Sequence, residues 1–154
     1  MMYVCGLRLV EALSLHIPAI DSTNLLLKII GKGNKERLVP LPTQKLHELR
    51  KIWSTHRNKR FLFPGKKGDN PVHTSIMYRT FKNAIIQAGL PIDITPHALR
   101  HSYATRLTEN NVDMRIIQIL LGHASIQSTV VYTHLTEPTR KQLRTTLNAI
   151  MTGL

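Results

Sequence analysis

The sequence is poor in cysteine, in acidic residues and in long apolar runs. Cys5 is the single cysteine among 154 residues, which excludes an intramolecular disulfide and a zinc site built from several thiolates. No apolar run approaches the roughly 18 residues of a membrane-spanning helix, and the first residues lack the cationic start and cleavage site of a signal peptide. These absences predict a soluble cytoplasmic protein.

Positive charge is the main feature of the composition. Lysine and arginine number 21 against 9 acidic residues, a formal net charge of +12, while 42% hydrophobic residues indicate a folded domain and not a disordered tail. The charge predicts a polyanionic partner and favours nucleic acid. It therefore also favours a location at the nucleoid within the cytoplasm. Solubility, or a ribosomal or membrane-surface role, remains the alternative explanation of charge alone.

Apolar spacing and turn residues predict a mostly helical α+β chain with one small sheet. Residues 3–15 have roughly helical spacing, and Gly31–Asn34 separates two apolar segments as the turn of a β-hairpin. Further helices are predicted from Thr43, from Thr74 to Gln87, from Thr95–Pro96, from Asp113 or its neighbour to Gly122, and from caps at Ser125 and Thr136. No composition shift marks a domain boundary, so residues 1–154 are predicted to form one domain.

Histidines and an arginine cluster at the start of the helix that follows Thr95. His97 shares one helix face with Arg100 and with His101, and a helix N-terminus favours anions. Gly122-His123 follows a predicted helix end, and Tyr132 lies nine residues after His123. Taken singly, each residue has an ordinary structural explanation as a cap, a surface side chain or a half-buried ring.

Taken in order, these residues resemble the tyrosine recombinase (phage integrase) family along nearly the entire chain. The matching segments are GLRLVE from Gly6, GKGNK from Gly31, HALRH from His97, LGH ending at His123, and the later tyrosine. The resemblance implies that the catalytic residues are Arg8, Lys32, His97, Arg100, His123 and Tyr132. It also implies a catalytic domain of helices around a small antiparallel sheet. Such a domain cuts and rejoins double-stranded DNA through a 3′-phosphotyrosine bond, in integration or excision, without metal or cofactor.

Phosphoryl-transfer chemistry explains why these residue types occur together. Two guanidiniums can bind the negative charge that gathers on the phosphate oxygens, a role for Arg8 and Arg100. A phenol with an ordinary pKa of about 10 needs a proton acceptor near neutral pH, and His97 is the candidate base. The leaving 5′ oxygen needs a proton, and the resemblance assigns this role to Lys32, with Lys35 as the local alternative.

The remaining predicted site residues support this chemistry or contact DNA. His123 would hydrogen-bond the phosphate, Glu11 would orient other groups and not act as an acid, and His101 is a supporting residue of the site. Positions 32 to 67 hold 11 of the 21 basic residues, and they predict DNA-phosphate contacts at the hairpin tip and the following basic loop. The predicted contacts are Lys35, Arg37, Lys66 and Lys67.

Three other functions compete with this one. A metal-dependent nuclease needs converging carboxylates, which the scattered acids do not suggest, and His97 with His101 lacks the HExxH order of a zinc site. The third is a DNA-binding remnant without activity, since the family carries an N-terminal DNA-binding domain and further helices ahead of the first arginine. The chain is therefore expected to be an N-terminally truncated catalytic domain. The family works as a tetramer on DNA, and the fragment is expected to be a monomer or a weak dimer.

Overall fold

The computed structural model describes residues 1–31, 34–122 and 135–152, and the side chains up to residue 149. Its helices, in chain order, are α1 (Met2–Cys5), α2 (Leu9–Leu13), α3 (Thr43–His56), α4 (Thr74–Gln87), α5 (Pro96–Glu109), α6 (Met114–Leu121) and α7 (Glu137–Thr152), and a short 3-10 helix covers Ile17–Ala19. In these ranges no helix is both long and apolar enough to cross a membrane.

The predicted β-hairpin is confirmed and forms most of a three-stranded antiparallel sheet. Strands β1 (Ile20–Asp21), β2 (Leu26–Ile30) and β3 (Glu36–Pro40) lie in the order β1-β2-β3. Leu27 pairs with Val39, and both are fully buried, whereas Lys28 beside Leu27 is exposed. This alternation follows from the two-residue period of a strand and places one sheet face on the core.

Two apolar clusters form the interior. The first contains buried residues of α1, α2, β2, β3 and α3, including Leu46 and Leu49 of α3. The second joins α5, α6 and α7 and contains Tyr103, Leu107, Leu120, Leu143 and Leu147. The partly buried Tyr3 of α1 packs against both clusters, so α1 connects the two halves of the core.

The apolar spacing of residues 3–15 is compatible with one continuous helix, but the structure has two short helices there, α1 and α2. Gly6 ends α1 with φ 60°, in the left-handed region, and α2 begins only at Leu9. A Cβ at Gly6 would lie 2.5 Å from Cδ1 of Tyr103. Glycine is therefore required here, both by the backbone conformation and by the close approach of α5. The break between the two helices leaves Arg8 at the start of α2.

The later helices begin and end close to the predicted residues. Asp113 caps α6 by accepting hydrogen bonds from the amides of Arg115 and Ile116, and Gly122 ends it at φ 67°. The cap of α4 differs: it is His73, whose side chain accepts from Ser75 N, and not Thr74. Thr95 holds the predicted N-cap position of α5, but its side chain makes no cap hydrogen bond. The predicted cap at Ser125 lies outside the described residues.

Helix α7 packs against other helices of the same chain. Leu143 and Leu147 are buried in the second cluster, and Arg144 Nη2 donates to the carbonyl oxygen of Asn24 at 3.1 Å. Thr136 acts as the predicted cap, because its hydroxyl oxygen accepts from Thr139 N at 3.4 Å. The two apolar side chains Leu143 and Leu147 of α7 are therefore covered within the chain.

Candidate active site

Arg8 lies at the entry to α2 and makes hydrogen bonds to Glu11 of the same helix and to the end of α6. Its backbone amide donates to Glu11 Oε2 at 2.7 Å and its Nη1 to Glu11 Oε1 at 3.0 Å. Its Nη2 donates to the carbonyl oxygen of Gly122 at 3.2 Å. The side chain is 41% exposed, so an anion from solvent can reach this guanidinium.

Arg100 reaches the same place from the first turns of α5. Its Nη1 donates to the carbonyl oxygen of Gly6, and its Nη2 donates to that of Leu121 at 2.5 Å. Burial, followed by the positive charges of Arg8 and Arg37, lowers the pKa of Arg100 to about 10. The positive charge of Arg100 thus lies close to other positive charges. A bound anion would offset the repulsion between them.

The structure contradicts the interpretation of Arg37 as a DNA contact. Its side chain is 2% exposed, and its Nη1 and Nη2 donate to the two carboxylate oxygens of Glu11 at 2.9 and 2.6 Å. Its Nε donates to the carbonyl oxygen of Leu120 at 3.0 Å. Arg37 alternates with Leu38 on β3 and shares the inward face with Val39. The strand period could therefore have indicated burial, but the overall positive charge favoured a surface position.

The C-terminal end of α6 gathers the three arginines. Arg37 donates to the carbonyl of Leu120, Arg100 to that of Leu121 and Arg8 to that of Gly122. The last carbonyls of a helix have no partner within the helix and carry partial negative charge, so they favour cations. Three consecutive backbone oxygens thereby bring side chains from β3, α5 and α2 to one point.

Glu11 is the carboxylate that binds two of these arginines. Burial alone would raise the pKa of Glu11, but hydrogen bonds from Arg37, from the Arg8 amide and from the Arg8 side chain, together with the Arg37 charge, lower it to about 2. The carboxylate is therefore ionised at neutral pH. This arrangement fits an orienting role for Glu11 and does not fit a proton donor.

The cluster carries an excess of positive charge. Three guanidiniums and one carboxylate leave two positive charges, concentrated around the end of α6. Guanidiniums bind phosphate through paired N–H donors, and Arg8 and Arg100 are the two that are not fully buried. The arrangement can bind a phosphate group and stabilise negative charge on its oxygens.

Two histidines line a cleft beside this cluster. His97 and His101 on α5 border an open cleft of about 460 Å³ together with Arg100 and with Leu121 at the end of α6. Both imidazoles are exposed. His97 is thus one helical turn from Arg100, as its spacing predicts, and is accessible to a substrate bound in the cleft.

The other predicted site residues fall into two groups. Lys32, His123 and Tyr132 lie outside the described residues. Lys35, Lys66 and Lys67 are exposed, as a contact with DNA phosphates requires. Of the predicted catalytic set, the structure therefore brings together Arg8 and Arg100, with His97 beside them.

Comparison with known proteins gives the same family over most of the chain. The chain is 39% identical over 142 residues to the tyrosine recombinase XerD of Lacticaseibacillus casei, covering 88% of this chain and 48% of that protein. It is 41% identical over 143 residues to the tyrosine recombinase XerC of Alcanivorax borkumensis, with coverages of 88% and 46%. The chain thus spans about half the length of these curated relatives.

Solved structures show the same fold. The XerA recombinase superposes with a TM-score of 0.71 at 30% identity, covering 94% of this chain and 54% of that one. The XerH site-specific recombinase bound to its difH substrate gives 0.71 at 33% identity, with coverages of 87% and 40%. The fold is therefore that of tyrosine recombinase catalytic domains, mostly helical with a three-stranded antiparallel sheet. A model of the phage integrase family matches residues 1–138, and the chain belongs to that family.

Proposed function

We propose that the chain carries out the cleavage and rejoining steps of site-specific DNA recombination, as a tyrosine recombinase catalytic domain. The observation that supports this most directly is the convergence of Arg8 and Arg100 on consecutive carbonyls at the end of α6. Two guanidiniums beside an accessible histidine form a site for a phosphodiester. The match to about half of each relative supports assigning this chain the catalytic part of the reaction.

In the cleavage step, the Tyr132 hydroxyl oxygen attacks the scissile phosphorus. A bond forms between that oxygen and phosphorus, and the bond from phosphorus to the 5′ oxygen breaks. His97 accepts the phenol proton, Lys32 donates a proton to the leaving 5′ oxygen, and His123 hydrogen-bonds the phosphate. Arg8 and Arg100 bind the nonbridging oxygens, where negative charge gathers in the transition state.

The rejoining step is the reverse attack by a 5′ hydroxyl of another strand. One phosphate ester is exchanged for another, so the energy of the broken bond is kept in the phosphotyrosine. The exchange between strands is nearly isoenergetic and consumes no nucleotide cofactor. Self-association on DNA belongs to the same proposal, and the packing of α7 within its own domain supports a monomer when DNA is absent.

Covalent capture from random DNA tests this function and identifies the target site in the same experiment. The full chain is incubated with a pool of nicked duplexes that have randomised arms, in which the short strand beyond the cleavage point diffuses away and traps the covalent intermediate. We expect denaturation-resistant protein–DNA adducts with the phosphate on Tyr132. Denaturing gels detect the adducts, mass spectrometry locates the linkage, and sequencing of the captured DNA reports the preferred site.

Two substitutions at tyrosine distinguish the nucleophile from other residues. Tyr132→Phe should abolish the adduct and leave DNA affinity nearly unchanged, because it removes one hydroxyl and no charge. Tyr78→Phe, at an exposed tyrosine of α4, is the matched control and should change neither. Adducts that persist in Tyr132→Phe would contradict the mechanism, whereas DNA binding without adducts in the wild type would support a DNA-binding remnant.

A further inference from the structure

Arg37 is the buried member of the arginine cluster, and the cleavage and rejoining steps give it no role. Its Nε binds Leu120, and its Nη1 and Nη2 bind both oxygens of Glu11. With a side chain 2% exposed, it is out of reach of a DNA phosphate while these bonds hold. Any contribution of Arg37 to cleavage must therefore act through the residues that it contacts.

Two glycines pack closely against the Arg37 side chain. A Cβ at Gly122 would lie 3.0 Å from Arg37 Cδ and 3.1 Å from its Nη1. A Cβ at Gly31 would lie 3.5 Å from the same Nη1. In the sequence, Lys32 follows Gly31 and His123 follows Gly122. Arg37 is thus in contact with the chain immediately before two further predicted catalytic residues.

The bonds of Arg37 join three elements that carry the site. Arg37 itself belongs to β3, Glu11 belongs to α2, and the Leu120 carbonyl is at the end of α6. Glu11 Oε1 accepts hydrogen bonds from both Arg37 Nη1 and Arg8 Nη1. Because the two guanidiniums share this acceptor, the position of one constrains the position of the other. The carbonyl next to that of Leu120 binds Arg100.

A contribution to stability does not by itself explain the buried ion pair of Arg37 and Glu11. A buried ion pair is costly to desolvate, and well-packed apolar residues often replace one without loss of stability. A planar guanidinium, by contrast, can bind a carboxylate at two points and a third acceptor at a fixed angle. The Arg37 contacts are therefore suited to holding geometry.

We propose that Arg37 is a positioning residue for strand cleavage. It fixes Glu11 and the end of α6, and through them it orients Arg8 and Arg100 toward the scissile phosphate. This proposal rests on the proposed function of the chain. Because a misplacement of about 1 Å at a reacting centre can cost on the order of 100-fold in rate, loss of Arg37 should affect the rate of cleavage far more than the binding of DNA.

The first experiment separates rate from affinity. Adduct formation is measured in the full chain at saturating DNA, with the captured duplex as substrate, at a temperature at which circular dichroism shows each variant folded. Arg37→Gln should lower the rate on the order of 100-fold with little change in DNA affinity. Arg140→Gln is the control, because Arg140 of α7 also binds a carboxylate, that of Glu137, and a backbone carbonyl, that of Leu135, and should change neither.

The conservative variant distinguishes geometry from charge. Arg37→Lys keeps a positive charge beside Glu11 but lacks the fork that binds two carboxylate oxygens and Leu120 together. Its rate should remain well below that of the wild type. A full rate in Arg37→Lys would assign the effect to charge and overturn the positioning role, as would a full rate in Arg37→Gln. Arg37→Lys also serves as the test variant if Arg37→Gln does not fold.

The second experiment needs no cleavage. Nitrogen-proton spectra of the arginine side chains, recorded on the ¹⁵N-labelled chain, report the environments of the Arg8 and Arg100 Nε groups directly. Both signals should shift and exchange faster with solvent in the Arg37 variants and stay unchanged in Arg140→Gln. Unchanged Arg8 and Arg100 signals would overturn the inference. A wild type that forms no adduct would instead refute the proposed function. The spectra would then still test whether Arg37 orients Arg8 and Arg100.

Discussion

At the scale of single residues, the site depends on how a few charges are paired. Arg8 and Arg100 could be predicted from their motifs, because GLR and HxLR fix residue types at short spacing. The burial of Arg37 and its pairing with Glu11 could not, since the two residues are 26 positions apart and meet only when β3 packs beside α2. Motifs report which residues are present, whereas burial depends on the tertiary structure.

The low pKa of Glu11 predicts a specific loss of stability in acid. Its folded-state pKa of about 2 lies below its ordinary value of 4.5, so its contribution is complete above about pH 4.5 and is lost as the pH falls toward 2. Denaturant unfolding should show that Glu11→Gln destabilises the chain at pH 7 and much less near pH 2.

A control and a contrary result define this test. Glu109→Gln alters an exposed carboxylate at the end of α5 and should change the unfolding free energy by no more than about 0.5 kcal/mol at either pH. Stability curves for wild type and Glu11→Gln that run parallel from pH 7 to pH 2 would show that the ion pair does not hold Glu11 charged in the folded state.

At the scale of elements, turn and cap residues predicted most boundaries. The hairpin, the start of α6 at Asp113 and its end at Gly122 follow from local chemistry that a few adjacent residues supply. The break at Gly6 and the short strand β1 were not predicted. Both depend on distant partners, because Gly6 faces Tyr103 of α5 and β1 exists only through its pairing with β2.

The cap of α6 predicts a measurable contribution to stability. Asp113 accepts from Arg115 N at 2.8 Å and from Ile116 N at 3.3 Å, so Asp113→Ala leaves two amides without that acceptor. The free energy of unfolding should fall by about 1 kcal/mol. Asp113→Asn retains an accepting oxygen and is the matched control, with a small effect expected. Equal losses in the two variants, measured by denaturant unfolding, would argue against a capping role.

At the scale of the whole molecule, two clusters and a charge of +12 define the chain. The sequence indicated a mostly helical α+β fold, but not the division of the core, which arises from how α1 packs between the halves. The positive charge supports the proposed DNA substrate. Binding that neutralises phosphates releases counterions, so affinity should fall steeply as salt concentration rises.

Exposed lysines of the basic loop should carry part of this salt dependence. Lys66→Ala combined with Lys67→Ala should weaken binding to all DNA sequences about equally and reduce the salt slope by about one for each phosphate that is no longer neutralised. Lys45→Ala is the control, because that ammonium is already paired with Glu48 and should leave the slope unchanged. Fluorescence anisotropy across a salt series measures the slopes. An unchanged slope in the double variant would exclude these lysines from the interface.

The anchoring of the arginines on the carbonyls of Leu120, Leu121 and Gly122 has a consequence for how the sequence can diverge. Every amino acid supplies the same backbone oxygen, so the anchor places no demand on the side chains at 120 and 121 beyond packing in the second cluster. Volume-conserving apolar exchanges there are usually tolerated. The buried side chains of α6 can therefore change during evolution. The hydrogen bonds from the three arginines to the carbonyls of its last turn would be kept.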